Sequence, residues 1–214
     1  MKALDLFCGA GGASSGLSQA GFEVVGVDIN PQPNYPFEFI QGDALEMDLS
    51  GFDLVWASPP CQAFTAYKRR PDHVAPRLNL IPETRARLKG AGVPYVIENV
   101  TGAREHLVEP VQLCGSSFGL DVRRHRLFET SFPVLVPECA HEWQTPRFPP
   151  ATNRKNLRST VEIGVWRIPL DVQQEAMGID WMTREELSQA IPPMYSKFLA
   201  VAWLWTEEWR RARQ

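Results

Sequence analysis

An α/β fold built on a mostly parallel central sheet is predicted by three observations. Short apolar runs recur along the first half of the chain and alternate with helical or looped stretches. Each run ends in a polar or glycine-rich segment, as in sheets that present their strand ends to a ligand. The chain has 214 residues, 44% hydrophobic and 22% charged, enough for one sizeable core.

Residues 2–7 (KALDLF) read as a buried strand running into Cys8-Gly9-Ala10-Gly11-Gly12, and residues 14–20 as a helix stopped by Gly21. Residues 24–27 give a second strand ending at Asp28, and residues 37–40 a third leading to Gly42-Asp43-Ala44. The fourth, residues 52–57, ends at Ser58-Pro59-Pro60-Cys61-Gln62. Residues 83–90 read as a helix, and residues 95–97 as a fifth strand closing on Glu98-Asn99-Val100. A sixth strand is expected over residues 124–130. Beyond it, prolines at 133, 137, 146, 149 and 150 and a lack of periodicity predict an irregular insert. Residues 170–177 and 184–187 read as helices parted by Gly178, and the chain from Pro193 as an amphipathic helix. The expected organisation is a principal α/β unit over 1–128, a short insert over 129–168, and helices over 169–214 that return to the first unit.

Composition narrows the function classes. No apolar run reaches the roughly 18 residues a membrane span needs, and no export signal opens the chain, so a cytoplasmic protein is expected. Four widely spaced cysteines then read as reduced thiols. Cys139 and His141 form a C-x-H pair, too few ligands for a metal without partners; Cys114 could contribute, but it and Cys8 read as packing, and no metal is expected. His73, His106, His125 and His141 are expected to be structural or surface residues, with His125 facing away from its arginine neighbours. The net charge of −3 does not mark a nucleic-acid binder, yet basic residues cluster. Lys68, Arg69, Arg70 and Arg77 form one group, Arg123, Arg124 and Arg126 a second, and Arg147, Arg154, Lys155 and Arg158 a third. Such groups bind phosphates on an acidic chain, although each alone also reads as a solvated face.

The chemistry lies at the strand ends. Glycines after the first strand allow unusual backbone angles and close approach of a ligand, but their spacing is not the dinucleotide fingerprint and no phosphate-loop lysine follows. Asp28 is placed to accept from ribose hydroxyls and Asp43 from an adenine amino group. An adenosine ligand without phosphate fits this set, and S-adenosylmethionine is the expected cofactor. Cys61 after two prolines supplies a nucleophile, and Glu98 at the end of a buried strand an acid.

In identity and order, DLFCGAGG, VDIN, GDA, PPCQ, ENV and the late Arg124-x-Arg126 resemble the cytosine-C5 DNA methyltransferases, from Ala3 to about Phe128 and again from about Val172 to Ala200. The resemblance implies a Rossmann-like S-adenosylmethionine-dependent methyltransferase fold. It implies that Phe7 packs on the adenine, that backbone around Gly9, Ala10, Gly11 and Gly12 holds the methionine part, that Asp28 binds the ribose, and that Ile29 also belongs to the cofactor site. Asp43 and Ala44 would meet the adenine edge, and Pro60 and Ala190 would complete the cofactor wall. Cys61 becomes the nucleophile at cytosine C6, Glu98 the group at the N3 and N4 edge, and Arg124 and Arg126 the pair that orients the base and lowers the thiol pKa. The chain departs from the family at Val122, where Gln is usual, at Ser188-Gln189, where Gly-Asn is usual, and in its short insert.

DNA is the implied partner, with its cytosine flipped from the helix. Gln62, Phe64, Thr65, Tyr67, Lys68, Arg69 and Arg70, in and after the Cys61 segment, are the expected DNA-binding residues. The short insert leaves room for a helper protein that supplies target recognition. The alternatives are the same chemistry on RNA, and a catalytically silent cofactor- or DNA-binding module.

Overall fold

A computed structural model describes residues 1–65, 78–145 and 158–212. Seven strands form one sheet in the order β3-β2-β1-β4-β5-β7-β6. They are β1 (Lys2–Leu6), β2 (Glu23–Asp28), β3 (Glu38–Gln41), β4 (Leu54–Ala57), β5 (Tyr95–Asn99), β6 (Val111–Leu113) and β7 (Arg126–Thr130). β1 to β5 are parallel, and β7 alone runs against its neighbours β5 and β6. The chain winds outward from β1 to β3, then restarts on the other side of β1 with β4. That reversal opens a crevice at the carboxyl ends of β1 and β4, where such sheets bind ligands.

Period-two alternation divides the strand side chains between two layers. Ala3, Leu54, Trp56, Val96 and Phe128 pack with Leu17 of α1 (Gly12–Gln19) and with Tyr195, Leu199 and Trp203 of the C-terminal helix. Leu4, Val25, Val27, Val55 and Ile97 pack on the opposite face with Ile81 and Leu88 of α2 (Ile81–Ala91). A third apolar group joins Ala10 and Val122 to Met177 of α3 (Leu170–Met177) and Leu187 of α4 (Arg184–Gln189). It seats the late helices over the crevice.

The last helix, α5 (Pro193–Arg211), lies against α1 at backbone distance. A Cβ on Gly16 would meet the Pro193 carbonyl oxygen at 1.9 Å and the Ser196 hydroxyl at 2.1 Å. The Ser196 hydroxyl donates to the Ala13 carbonyl at 2.8 Å, so glycine at 16 is what allows the two helices to meet.

Several elements differ from the sequence reading. The strand expected from Arg124 begins at Arg126, because Arg124 takes φ 31 and cannot continue an extended ladder. α1 begins at Gly12, capped by Gly11 at φ 88. β6 was not foreseen; three residues are too few to show a period. In the insert, β8 (Gln144–Thr145) and β9 (Arg158–Ser159) form a small parallel pair. No helix among the described residues is long and apolar enough to cross a membrane.

Candidate active site

The carboxyl ends of β1, β2, β4 and β5 surround a cavity of about 370 Å³, within the size range of small-ligand sites. Its walls include Phe7, Gly9, Asp28, Cys61, Glu98 and Arg126, and the late segment Gln189-Ala190-Ile191 closes it. The expected nucleophile and the expected acid therefore share one chamber.

Glu98 follows from strand alternation. Val96 faces the α1/α5 layer and so does Glu98, two residues on, which leaves the carboxyl 8% exposed between protein layers. Burial pushes its pKa up, against the pull of Arg126, Arg124 and a hydrogen bond from Ser58. The Arg126 Nε lies 3.2 Å from Glu98 Oε1. Trp56 Nε1 donates to the Ser58 hydroxyl at 3.0 Å, which leaves the Ser58 proton directed to Glu98. Ser58, in the segment 58–62, thus links the Trp56 ring to the Glu98 carboxyl.

Cys61 is half-buried on the loop after β4. The neighbouring Asn99 Nδ2 donates to the Pro59 carbonyl at 2.9 Å and ties the thiol-bearing loop to the end of β5. The arginines were expected to lower the thiol pKa. They do pull it down, Arg126 more than Arg124, but burial and the Glu98 charge outweigh them and the thiol sits above its ordinary value. Cys8, also on the cavity wall, is buried, and burial with Asp5 and Asp28 pushes its pKa up strongly, which disfavours its thiolate.

Arg124 departs from its expected place. Its Nε donates to the Ala190 carbonyl at 2.7 Å and its Nη2 to the Ser188 carbonyl at 2.6 Å, and it does not line the chamber. The side chain is a latch on the late segment, held in turn by Tyr195, whose hydroxyl donates to the Arg124 carbonyl at 3.0 Å. A second cavity of about 410 Å³, lined by Arg123, Arg124, Thr160 and Glu162, shares Arg126 with the first.

At the other end of the chamber, the Asp28 carboxylate accepts from the Gly9 amide at 3.1 Å and from the Asn30 amide at 3.0 Å. Gly9 has φ +50 and a Cβ there would meet nothing within 4 Å, so the turn is open toward a ligand. Phe7 precedes it at φ 60, a conformation non-glycine residues hold only where the surroundings impose it. Ile29, Ala10, Gly12, Pro60 and Ala190 also line the cavity, as expected.

Three expected cofactor contacts do not. Gly11 packs under Tyr35 and Pro36, where a Cβ would lie 3.0 Å from the Tyr35 ring. Asp43 is exposed and closes its own turn by accepting from the Leu45 amide at 2.8 Å. Ala44 is buried in the α2 layer. In their place the late helices bring Glu186 and Gln189 to the wall. Glu186 is recognisable in hindsight from Thr183-x-x-Glu186, a capping box that fixes its carboxylate at the start of α4.

Of the expected DNA contacts, Gln62 lines the chamber. Phe64 instead stacks on His106, with ring centroids 4.9 Å apart, because the turn after Cys61 folds it onto the α2 layer. Thr65 is half-buried beside it. Tyr67, Lys68, Arg69 and Arg70 lie outside the described residues, as do Arg77, Arg147, Arg154 and Lys155.

A family model described as C-5 cytosine-specific DNA methylase matches residues 1–109, half of the chain, and covers the glycine turn, Asp28, Cys61 and Glu98. The chain belongs to this family. The type II methyltransferase M.HgiGI of Herpetosiphon aurantiacus is 35% identical over 120 residues, which cover 49% of the chain and 94% of that protein. The type II methyltransferase M.AgeI of Thalassovita gelatinovora is 32% identical over 127 residues, 48% of the chain and 28% of that protein. The human tRNA (cytosine(38)-C(5))-methyltransferase is 29% identical over 141 residues, 55% of the chain and 36% of that protein. The chain thus spans well under half the length of the last two relatives. The solved S. pombe Dnmt2 methyltransferase superposes with a TM-score of 0.53 at 14% identity, covering 94% of the chain and 98% of that structure, a likeness of fold alone.

The cofactor of the methylase is S-adenosylmethionine, and the chamber suits it. Asp28, Glu98 and Glu186 line it, and Arg126 is the one cation among the described lining residues, at the Cys61 end. Carboxylates without phosphate-binding cations match a positively charged sulfonium nucleoside rather than a nucleotide.

Proposed function

We propose that the chain transfers a methyl group from S-adenosylmethionine to C5 of a cytosine in DNA through a covalent bond between Cys61 and C6. The observation that carries this reading is the single chamber in which Cys61, Glu98 and Arg126 stand opposite Asp28 and the open glycine turn. Phe7, the Gly9–Ala10 backbone and Asp28 would hold the cofactor, and Ala190 would close over it.

When bound, the cofactor supplies an electrophilic methyl group. Cytosine C5 is too weak a nucleophile to take it unaided. Cys61, as thiolate, forms a bond to C6, and the displaced π electrons make C5 nucleophilic and load negative charge toward N3. Glu98 gives its proton to N3; its raised pKa suits it to that task, and Arg126 and Ser58 hold it in place. When a base removes the C5 proton, the C5–C6 double bond reforms and Cys61 departs as thiolate. The reacting base must leave its stack to reach this chamber. The adjoining cavity lined by Arg123, Arg124 and Arg126 offers a basic approach for the strand. Lys68, Arg69 and Arg70 are proposed phosphate contacts, with Tyr67 near the gap the flipped base leaves, so charge reversal at Lys68, Arg69 and Arg70 should weaken binding to all sequences alike. Residues 129–168 stand in place of a recognition domain, which leaves target choice to a helper protein.

DNA is favoured by the family description and by the type II relatives. The human relative named for tRNA supports RNA as the second reading. The deciding test is trapping with 5-fluorocytosine, whose C5 fluorine blocks release after methyl transfer. Duplex DNA with S-adenosylmethionine should give a denaturation-resistant adduct that Cys61→Ser abolishes. An adduct with tRNA alone would transfer the activity to RNA. Absence of any adduct in a chain that still binds S-adenosylhomocysteine would leave a silent cofactor-binding module.

A further inference from the structure

At the arginine turn, outside the chamber lining, four side chains from three separate segments converge. Cys114 follows β6, His125 lies between Arg124 and Arg126, and Cys139 and His141 come from the irregular chain after β7. Their candidate ligand atoms all lie within 4.8 Å of one another. Cys114 Sγ is 3.2 Å from His141 Nε2, and Cys139 Sγ is 3.5 Å from His125 Nε2. In a tetrahedral zinc site with ordinary Zn–S and Zn–N lengths, neighbouring ligand atoms stand roughly 3.3–3.8 Å apart. The partners that the Cys139-x-His141 spacing lacked are supplied by the fold.

We propose that Cys114, His125, Cys139 and His141 bind one structural Zn²⁺. Two thiolates and two neutral imidazoles match the preference of zinc for soft and borderline ligands, and four protein ligands leave no open position for catalysis. The surroundings support the ligand set. The Ser116 hydroxyl lies 3.1 Å from Cys114 Sγ and accepts from the Ala140 amide at 3.1 Å, so its own proton is free for a thiolate. The His125 and His141 rings stand edge to face with centroids 5.1 Å apart and have the two sulfurs as counter-ligands.

The need for a metal is local. After Phe132, Val134 and Val136, which pack on the core, the chain over 137–143 buries little; Glu138, Cys139, Glu142 and Trp143 are exposed. Such a segment lacks the apolar area to hold itself, and a metal tie substitutes for a core. It would bind the insert to the turn that directs Arg126 into the chamber and Arg124 onto the late segment.

The test is metal content and spectroscopy, which do not depend on substrate or methyl transfer. Protein purified under reducing conditions should carry one zinc per chain by elemental analysis. Cobalt exchanged into the site should give the intense visible bands of tetrahedral coordination and a near-ultraviolet thiolate-to-metal band. Chelation should lower the melting temperature by roughly 10 °C, and zinc should restore it. His141→Ala and Cys139→Ser should lose the metal, whereas His141→Cys, which keeps a ligand, should retain it. Folded wild-type protein that takes up neither zinc nor cobalt would overturn the proposal. So would an intact mass lighter by two hydrogens that shows Cys114 and Cys139 joined as a disulfide after reduction-free purification and unreactive to metal once reduced.

Discussion

Arg126 Nε and Glu98 Oε1 sit 3.2 Å apart where the antiparallel pair β5 and β7 opens toward the chamber. The contact sets the electrostatics of the site. Without Arg126, the buried Glu98 carboxyl would lose the largest influence drawing its pKa down, and Cys61 would lose its strongest cationic neighbour. Replacing Arg126 with Met should therefore slow single-turnover methyl transfer about 100-fold or more while leaving S-adenosylhomocysteine affinity nearly unchanged. Calorimetry beside quench-flow separates the two, and equal loss in both would place Arg126 in cofactor binding instead.

The pH dependence follows from two raised pKa values of opposite consequence. In the proposed mechanism, as pH rises the thiolate fraction of Cys61 grows while Glu98 loses the proton it would donate. Between the two pKa values these changes offset each other, and kcat/KM should be nearly flat. Glu98→Gln, about 100-fold slower, has no acid to lose, so its kcat/KM should climb about tenfold per pH unit over the same interval. Parallel profiles for the two proteins would contradict the assigned roles.

Arg124→Ala should behave as a cofactor-site lesion. It leaves the Ala190 and Ser188 carbonyls without their donor, a cost of about 1–3 kcal/mol if they stay dry. We expect a KM for S-adenosylmethionine about tenfold higher, with the single-turnover rate at saturating cofactor within a few-fold of wild type. A collapse of that rate with an unchanged KM would return Arg124 to the base.

Asp28→Ala removes the carboxylate that the Gly9 and Asn30 amides orient. Binding of S-adenosylhomocysteine by calorimetry should weaken at least tenfold, which is about 1.4 kcal/mol. Asp43→Ala, outside the chamber, should change it little.

Asp5 supplies a prediction about stability. It is fully buried on β1, accepts from the Ser14 hydroxyl, and burial pushes its pKa up to about 7. The unfolded carboxyl ionises near 3.8, so between that value and 7 the folded state holds a proton that the unfolded state has lost. Unfolding free energy should then fall as pH rises through this window, by up to about 1.4 kcal/mol per unit from this group, and level off above 7. Asp5→Asn should flatten that slope in urea titrations at pH 4 to 8; an unaltered slope would refute the assignment.

The sheet and the placing of Cys61 and Glu98 at strand ends were legible because they are local. Apolar runs mark β1, β2, β4 and β5, and Phe7, Gly9, Asp28, Cys61 and Glu98, which line the chamber, stand at or within four residues of the end of each run, as in other parallel sheets. What escaped depends on contacts between distant residues. Arg124 reads as half of a matched pair, yet its left-handed backbone and two late carbonyls hold its side chain off the chamber wall. Asp43 ends a strand like Asp28, but β3 is an edge strand and its turn faces solvent. Cys139-x-His141 reads as a pair short of partners, because Cys114 and His125 join it only once β7 and the irregular chain after it are folded.

The backbone-close seating of α5 on α1 has a consequence for how the protein is made. The wall at Ala190 and Ile191 is pinned from one side by Arg124 and is followed at once by the helix that Gly16 admits. A ribosome will have extruded the thiol, the acid and the glycine turn long before that last helix emerges. A nascent chain can therefore carry every one of those groups and still lack an enclosed chamber, which postpones its closure until that helix has emerged.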